Sequence, residues 1–592
     1  MIRAARSGFV LVAVVAACGS ATEEGAVFAP TNDCPAHACS AYAQVAQTAV
    51  CDAQGFCHVN AAPAYTLVIS LPDTAAVAPG FTFAIASSDL KTTSTRCPLG
   101  QTCIVLPRLG RSGGTYVATS DVAVAVKRYL GNASDRTSLP AHATFRPLGP
   151  GATSFSRAND LGLPLPTIFA DVISDLPLDP PPPGPGASAP IGWDASLPIG
   201  RYERTLQPDP PFSDSFPPEI DIVSITGRPF QQVDLTKVDP PALRTFTIDS
   251  EGQDLTGWTA ELDDNATHRP ISSVATLHNG SNEVTLHTVN RESLQGAPVE
   301  FVLKPRGSLA AVPEMVVPAA PTIPKNLRYP TIPAPGVVAG RVVASPEGTP
   351  VRGRVFFRST AEPGLINSLG VLLRYSVDVL TDAEGRYAVR LPAGTYDAVV
   401  VPEDGTGYGV AVSQAKITEA AFQQGRNLQV VRQPLLQGTV RLADGRALAN
   451  ADVEAHASNQ IDPPSPNAAM QRVARGRTDA NGAFSMRVDP GFYDVTIKPG
   501  EGSRFPWLIT IARRVEDRDL LLEDQVVRVP FDAGLTLFDP TGSSVIRGAL
   551  VRAYALPEST PGVVRRNFVE IGRARSSGDG SYEMSFSPTP PR

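Results

Sequence analysis

The sequence contains few histidines and no long run of basic residues. Its 592 residues include seven histidines, and none of these stands in an H-x-x-E or H-E-x-x-H arrangement, so zinc peptidases that hold their metal through those spacings are excluded. The net charge is −7 at pH 7 without any basic cluster, which argues against a nucleic-acid partner.

A hydrophobic run long enough to cross a membrane is missing from the N-terminal region. The apolar stretch there covers residues 8–17, well short of the roughly 20 apolar residues that a spanning helix needs. It follows two arginines, Arg3 and Arg6, and is followed by Cys18. This arrangement predicts an export signal peptide over residues 1–17 rather than a membrane anchor.

The residues that lead into Cys18 read Val-Ala-Ala-Cys, and they resemble the lipobox of bacterial lipoproteins. The resemblance implies that Cys18 becomes the lipidated first residue of the mature protein, with about 0.8 kcal/mol of membrane affinity per buried methylene. Gly19 stands where an aspartate would favour the inner membrane, so the outer membrane is the expected location. The alternative is an ordinary secretory signal that happens to end in cysteine.

The remaining six cysteines suit an oxidising compartment. They are Cys34, Cys39, Cys51, Cys57, Cys97 and Cys103. The first four predict a small knob with two disulfides, whose connectivity stays open, and the last two predict a small closed loop. The alternative is a zinc site formed by the first four with His37 and His58, but zinc sites more often have gaps of two to four residues. We therefore expect neither a metal nor another cofactor.

Proline and glycine are abundant, with 57 and 49 copies, which favours short strands joined by turns and an all-β protein. Two segments, 381–405 and 478–502, share one pattern: a turn with Asp and Gly, a strand of alternating apolar residues, a second glycine, and another alternating strand. Gly385 and Gly482 are 97 residues apart, and a third copy begins near Gly580. The spacing predicts a repeated β-sandwich of about seven strands.

These repeats resemble the carboxypeptidase regulatory-like domain in three motifs: an initial G-x-V, a T-D-x-x-G-x-F/Y turn, and a P-x-G-x-Y-x-V-x-V-x-P strand. The resemblance covers residues 336–592 and implies transthyretin-like, Ig-like sandwiches of the carbohydrate-binding-like group, without catalytic residues of their own. The third copy departs from the pattern because no P-x-G-x-Y strand follows Tyr582. Either this repeat is incomplete, or another segment supplies the missing strand.

The expected organisation follows from these patterns and from two proline-rich stretches. It comprises a signal peptide (1–17), a lipidated disulfide-rich segment (18–60), a β-rich domain (61–175), a linker (176–199), a sandwich-like domain (200–309), a second linker (310–335), and repeats at 336–432, 433–527 and 528–592. Clear helices are scarce in the sequence, and the best candidate covers residues 412–425, between repeats.

Two local motifs could suggest other chemistry. Ser112 lies in a G-x-S-x-G match, but a β-rich alternation follows it instead of the helix of a nucleophile elbow, so a turn is predicted and a hydrolase in 61–307 is least favoured. Asp382 and Asp479 open the repeat turns, and two acids in a hairpin are too few oxygens for calcium, so they are interpreted as turn residues.

The expected function is that of a non-catalytic, lipid-anchored surface protein whose modules serve adhesion, scaffolding or partner binding. The alternative is a polysaccharide- or cell-wall-binding accessory protein, because aromatic faces can stack on sugar rings and Phe492, Phe505 and Trp507 lie near strand ends. The expected partners are the membrane, through the lipid, and either a polysaccharide or a surface protein.

Overall fold

The computed structural model describes residues 49–51, 57–59, 63–94, 97, 103–118, 141–149, 157–172, 192–209, 213, 216–226, 232–233, 236–238, 242–265, 269–278, 282–288, 299–305, 312–317, 323–329, 335–360, 372–417, 425–442, 445–461, 467–500, 503–558 and 567–592. These residues are almost entirely strands and turns, so the predicted all-β class is confirmed. No helix among them is long and apolar enough to cross a membrane.

The N-terminal part begins with a hairpin of β1 (Ala49–Cys51) and β2 (Cys57–Val59). The N-terminal segment, the name used below for residues 63–106, follows it. This segment contains β3 (Thr66–Ser70), β4 (Thr82–Ala86), the helix α1 (Ser87–Ser94) and β5 (Cys103–Val105).

Module 1 is a two-sheet sandwich. Its strands are β6 (Gly110–Ala118), β7 (Ala141–Pro147), β8 (Ile168–Val172), β9 (Gly192–Leu197), β10 (Gly200–Pro208), β11 (Glu219–Ile225), β12 (Gln232–Val233) and β13 (Thr236–Val238). One sheet places β6 between antiparallel β9 and the parallel pair β12 and β13. The other has the order β11-β10-β7-β8. A short 3-10 helix, Asn159–Leu161, precedes β8.

Module 2 repeats this topology. Its strands are β14 (Ala242–Asp249), β15 (Thr259–Asp264), β16 (Arg269–Pro270), β17 (Ala275–Thr276), β18 (Glu283–Thr288), β19 (Val299–Lys304), β20 (Glu314–Val317) and β21 (Asn326–Arg328). The first strand, β14, again lies between an antiparallel strand, β18, and a parallel one, β21. In the second sheet β15 pairs with β19 and β19 with β20.

Modules 3 and 4 have the same arrangement. Module 3 comprises β22 (Gly336–Ala344), β23 (Gly353–Ser359), β24 (Leu372–Arg374), β25 (Ser376–Leu380), β26 (Arg386–Leu391), β27 (Gly394–Pro402), β28 (Ala411–Ile417) and β29 (Leu428–Val430). Module 4 comprises β30 (Leu435–Leu442), β31 (Asp452–Ala457), β32 (Ala474–Arg477), β33 (Ala483–Arg487), β34 (Gly491–Lys498), β35 (Leu508–Val515), β36 (Leu520–Leu521) and β37 (Gln525–Val527), with a 3-10 turn at Ala468–Met470. Their second sheets have the orders β25-β23-β27-β28 and β32-β31-β34-β35.

The alternating sequence pattern produces these sandwiches directly. In β26 every second residue is buried, so Tyr387, Val389 and Leu391 enter the core while the residues between them face solvent. The turn that precedes β26 requires a positive φ at Gly385, which has φ +70°, and Gly482 in module 4 has φ +75°.

Module 5 is assembled from two distant parts of the chain. Its C-terminal part is made of β38 (Phe531–Phe538), β39 (Leu550–Ala555), β40 (Val569–Arg575) and β41 (Ser581–Phe586). The N-terminal segment supplies the other strands. Together the two parts form the sheets β4-β3-β39-β40 and β41-β38-β5. Thus β3, β4 and β5 occupy the places that β34, β35 and β37 hold in module 4.

This pairing groups the chain differently from the boundaries expected from the sequence. The strands β9 and β10 lie on either side of the expected boundary between residues 199 and 200, yet they pair with β6 and β7 of one module. The N-terminal segment, which the expected domain 61–175 included, belongs instead to module 5, because its strands pair with β39 and β38. A strand pairs where its apolar face can be buried, and composition along the chain does not reveal that place.

Two local predictions are wrong. Within the stretch expected to be a helix, Ala411–Ile417 forms β28, because pairing with β27 and burial of Ala415 and Ile417 outweigh the local helix pattern. The G-x-S-x-G match lies inside β6 instead of a turn, with Ser112 fully buried and paired in register with Ala195. This strand lacks the strand–turn–helix geometry of a nucleophile elbow.

Candidate functional site

The split module 5 is the most unusual feature of the structure. β3 pairs antiparallel with β39 over five residues, from Thr66 opposite Tyr554 to Ser70 opposite Leu550. β5 pairs parallel with β38, with Ile104 opposite Leu537. The N-terminal segment therefore contributes to both sheets of the sandwich.

The same segment supplies much of the core of module 5. The buried residues that it contributes are Tyr65, Leu67, Ile69, Leu71, Phe83, Ile85, Ile104 and Leu106. The Tyr65 ring packs edge-on against Phe586 with 4.9 Å between ring centroids. At ~1.5–3 kcal/mol for each fully buried large apolar side chain, these contacts make the segment an integral part of the module.

A disulfide joins Cys97 to Cys103, the first residue of β5. Cys97 and Cys103 are bonded, as the sequence predicted for this small loop. Cys103 is buried beside Val105 and Phe538, so the bond fixes the start of β5 against module 5. Cys51 and Cys57 are register partners in the β1–β2 hairpin. Cys18, Cys34 and Cys39 lie outside the described residues, and the predicted bridges of Cys34, Cys39, Cys51 and Cys57 stay predictions.

Buried acids hold the first two junctions between modules. Glu203 of module 1 has an exposed fraction of 1% and pairs with Arg269 of module 2. Burial raises the pKa of Glu203. Glu300 of module 2 also has an exposed fraction of 1%, and Arg374 of module 3 reaches both of its oxygens, at 3.5 and 3.4 Å. At this second junction, β24 of module 3 also extends the sheet of module 2 by pairing with β20.

The junction between modules 3 and 4 centres on Asp489, whose side chain has no exposure. Arg472 donates to Asp489 Oδ1 at 2.6 Å from Nη2 and to Oδ2 at 3.2 Å from Nε. From module 3, the Val410 amide donates to the same carboxylate at 3.0 Å. Arg472 also donates to the Tyr408 carbonyl at 2.7 Å and lies 3.4 Å from Asp404 of module 3.

The charge state of Asp489 follows from these partners. Burial acts to raise its pKa, but the hydrogen bonds from Arg472 and from the Val410 amide outweigh it and leave the pKa below the ordinary value. The carboxylate is therefore charged and fully partnered, which is the condition under which a buried charge is tolerated.

Amides replace the ion pair at the junction between modules 4 and 5. Gln460, which has no exposed surface, donates to the Asn567 carbonyl at 3.2 Å and accepts from the Asn567 amide at 2.9 Å. The Asn567 side chain donates to the Asn459 carbonyl at 2.7 Å. Ile509 and Ile511 of module 4 also join the core cluster of module 5.

The chain closes on itself where module 5 meets module 1. The Phe568 amide donates to the Leu161 carbonyl at 2.5 Å, and Val68 and Tyr554 share a buried cluster with Ala158 and Leu163. Each module therefore contacts the next one along the chain, and module 5 also contacts module 1.

Gly162 makes this last approach possible. It has φ +84°, and a Cβ there would lie 2.5 Å from the Phe568 carbonyl oxygen. Beside this junction lies a hollow of about 500 Å³, between the β3–β4 turn and module 1. Phe81 and Tyr202 are among its lining residues, together with Pro79, Pro147, Pro166 and Pro198.

The three aromatic residues proposed for sugar contact have different surroundings in the structure. Phe505 packs against the core of module 4, whereas Trp507 packs against the core of module 5. Lys498 lies over the Trp507 ring, 4.9 Å from its centroid. Phe492 is half-buried in β34.

The acidic turns bind their own backbone. Asp382 Oδ1 accepts from the Glu384 and Arg386 amides at 3.0 and 2.8 Å, and Asp479 Oδ1 accepts from the Asn481 and Ala483 amides at 2.8 and 2.9 Å. These are Asx turns, as predicted. Within the described ranges there is no group of three or more His, Cys, Asp or Glu side chains that could hold a metal.

The junction residues and the missing strand were not identified from the sequence, although signals for both were present. Glu203, Glu300, Asp397 and Asp494 follow one another at intervals of 97 residues, which extends the repeat into modules 1 and 2. Residues 63–70, PAYTLVIS, have the apolar alternation of residues 491–498, GFYDVTIK, with Tyr65 in the place of Tyr493.

Solved structures to which the chain is similar include three bacterial proteins. A streptococcal ancillary pilin is 12% identical with a TM-score of 0.20, covering 55% of this chain and 99% of the pilin. The Bacillus anthracis TIE protein is 12% identical with a TM-score of 0.14, covering 66% and 69%. A minor pilin of Streptococcus agalactiae is 14% identical with a TM-score of 0.20, covering 32% and 96%. Likeness at this level carries no conclusion about function. No protein-family model matches the sequence, and neither does any curated protein.

Proposed function

We propose that the chain is a non-catalytic exported scaffold that is anchored to the outer membrane by a lipid on Cys18 and presents its β-sandwich modules to a partner at the cell surface. The observation that carries the proposal is the construction of the junctions. Asp489 is fully buried and receives hydrogen bonds from both modules that it joins. Modules that are joined only by flexible linkers need no such buried contact. Modules that must present a surface in one fixed relative orientation do need it.

The lipid anchor is tested by labelling. The protein is expressed in a bacterial host with a clickable fatty-acid analogue, and wild type is compared with Cys18→Ser. We expect the wild type to carry the label and sediment with membranes, and the variant to lose both properties. Equal labelling of the two proteins would refute the anchor, and the matched variant Cys97→Ser should keep both the label and the membrane location.

Partner binding is tested with the unlipidated protein and two kinds of surface. Whole cells and protease-treated cells are compared for retention of the protein. Retention that disappears after protease treatment supports a protein partner on the surface. Absence of retention on every surface, including polysaccharide gels, would refute the partner-binding part of the proposal.

The alternative function is polysaccharide binding, and one feature of module 3 favours it. A shallow hollow of about 810 Å³ there is lined by the polar side chains of Arg341, Asp382, Arg386 and Asn427. Such side chains offer donors and acceptors for sugar hydroxyls, and the resemblance to carbohydrate-binding-like domains agrees with this use. Retardation in polysaccharide gels that Arg341→Ala abolishes and Arg352→Ala leaves intact would favour this alternative.

A further inference from the structure

We propose that the N-terminal segment exchanges between copies of this chain, so that residues 63–106 of one copy complete module 5 of a second copy. The partner is thus another molecule of the same protein. The interaction surface is the open side of module 5 along β39 and β38, which the segment covers within one chain in the structure.

The first support is the covalent connectivity of module 5. In module 3 a short turn joins β26, which ends at Leu391, to β27, which begins at Gly394. In module 5 the equivalent strands are β41, which ends at Phe586, and β3, which begins at Thr66. Because no turn joins these two strands, the halves of module 5 can separate without breaking a covalent bond.

The second support is the identity of the contacts in the two arrangements. The β3–β39 register and the packing of Tyr65 on Phe586 join the N-terminal segment to the C-terminal part of module 5. A segment from a second copy would make the same contacts. Since the contacts are the same, the balance between closed and exchanged forms depends on protein concentration and on opening a junction between the modules that link the segment to its own module 5.

The third support is the internal order of the segment. β3 and β4 pair with each other, with Leu67 opposite Ile85, and the Ser70 and Thr82 hydroxyl oxygens lie 3.1 Å apart. The Cys97–Cys103 bond links Cys97 covalently to the first residue of β5. The segment can therefore move with its hairpin intact, while an open module 5 exposes the edge of β39 and half of a core, which favours capture of another segment.

The connection to module 1 determines which modules meet. Only residues 106–109 separate β5 from β6, and the Leu106 amide donates to the Phe538 carbonyl at 3.0 Å. Module 1 must therefore follow the segment to the second copy. The contact between Leu161 and Phe568 then forms between two molecules, which joins module 1 of one copy to module 5 of the next.

The experiment uses the full chain with a cysteine pair across the exchanged strands, Ser70→Cys with Leu550→Cys. These residues lie opposite each other in β3 and β39, and both are half-buried. The control pair, Ser70→Cys with Thr82→Cys, lies within the segment and links only a chain to itself. Each protein is warmed to open the junctions and then cooled, at about 1 µM and at about 1 mM, so that the two samples differ only in the supply of second copies. It is then oxidised and separated on a denaturing gel without reductant.

We expect the test pair to give linked monomers in the dilute sample and disulfide-linked dimers and larger species in the concentrated one. The control pair should give only linked monomers at both concentrations, and wild type alongside defines the background from native cysteines. Linked monomers alone at both concentrations would overturn the proposal. Failure of the test pair to form its disulfide at either concentration would also overturn it, because β3 would then not pair with β39.

Discussion

Arg472 and Asp489 form a 2.6 Å ion pair inside module 4, and through the same two side chains module 4 binds module 3. Arg472 reaches the Tyr408 carbonyl and Asp489 accepts from the Val410 amide, both in module 3. The stability of module 4 and its attachment to module 3 are therefore coupled at a single contact.

We expect Arg472→Ala to destabilise module 4 by about 3–5 kcal/mol, because the substitution leaves the buried Asp489 carboxylate without its charged partner. Urea unfolding followed by circular dichroism measures the loss. The matched control is Arg475→Ala, whose partner Glu454 lies 3.4 Å away and whose side chain is 74% exposed. That change should cost under ~1 kcal/mol, and equal effects of the two substitutions would contradict the role given to Asp489.

The pH dependence of the free energy of unfolding should reveal the contribution of the ionised Asp489 side chain. Burial alone would raise its pKa, but its hydrogen bonds lower the pKa below the ordinary 3.8. The folded state therefore favours the charged form, so this contribution to stability is present above the ordinary pKa and lost as the pH falls through the folded pKa. We expect wild type to lose stability more steeply than Asp489→Asn as the pH falls from the ordinary pKa of 3.8 towards the lower folded pKa. Parallel profiles for the two proteins would show that Asp489 does not titrate as described.

Leu67→Ala should destabilise module 5 by about 2–5 kcal/mol, because Leu67 is fully buried in the shared core. The distinctive measurement is hydrogen exchange, which should become faster at the amides of β39, although β39 lies at the other end of the chain. Leu243→Ala is the control, since its side chain is 64% exposed. Unchanged exchange in β39 would show that the segment does not complete module 5.

Gly162→Ala should weaken the contact between modules 5 and 1 and increase protease sensitivity there, because the added Cβ would meet the Phe568 carbonyl oxygen at 2.5 Å. Gly252→Ala provides the comparison. Gly252 also has a positive φ, +88°, but nothing lies within 4 Å of an added Cβ. Strain alone costs ~1 kcal/mol. If the two variants show the same thermal stability and the same cleavage pattern, the close approach at Gly162 is unimportant.

The prediction that residues 412–425 form a helix shows where local pattern was insufficient. Ala411–Ile417 can be arranged with apolar residues on one side of a helix, but the free edge of β27 offers backbone partners that a helix would leave unpaired. By contrast, the strands around Gly385 and Gly482 were predicted correctly, since turn chemistry and alternation within a few residues determine a hairpin.

The contacts of the candidate site also differ in whether the sequence alone predicts them. The Cys97–Cys103 bond was predictable because only five residues separate the two cysteines and a small loop is their simplest pairing. The partner of Asp489 was not, because Arg472 and Val410 come from different parts of the chain and only packing brings them together.

The sequence by itself determined the all-β class, the hairpin turns and the 97-residue repeat, because each depends on side-chain alternation and turn residues that are close together in the chain. The tertiary structure alone decided that the strands from Thr66 to Val105 complete the last module and that buried polar groups join the modules. Those outcomes depend on which apolar faces and hydrogen-bonding groups can be satisfied together across hundreds of residues, a choice that the free energy of the whole fold makes.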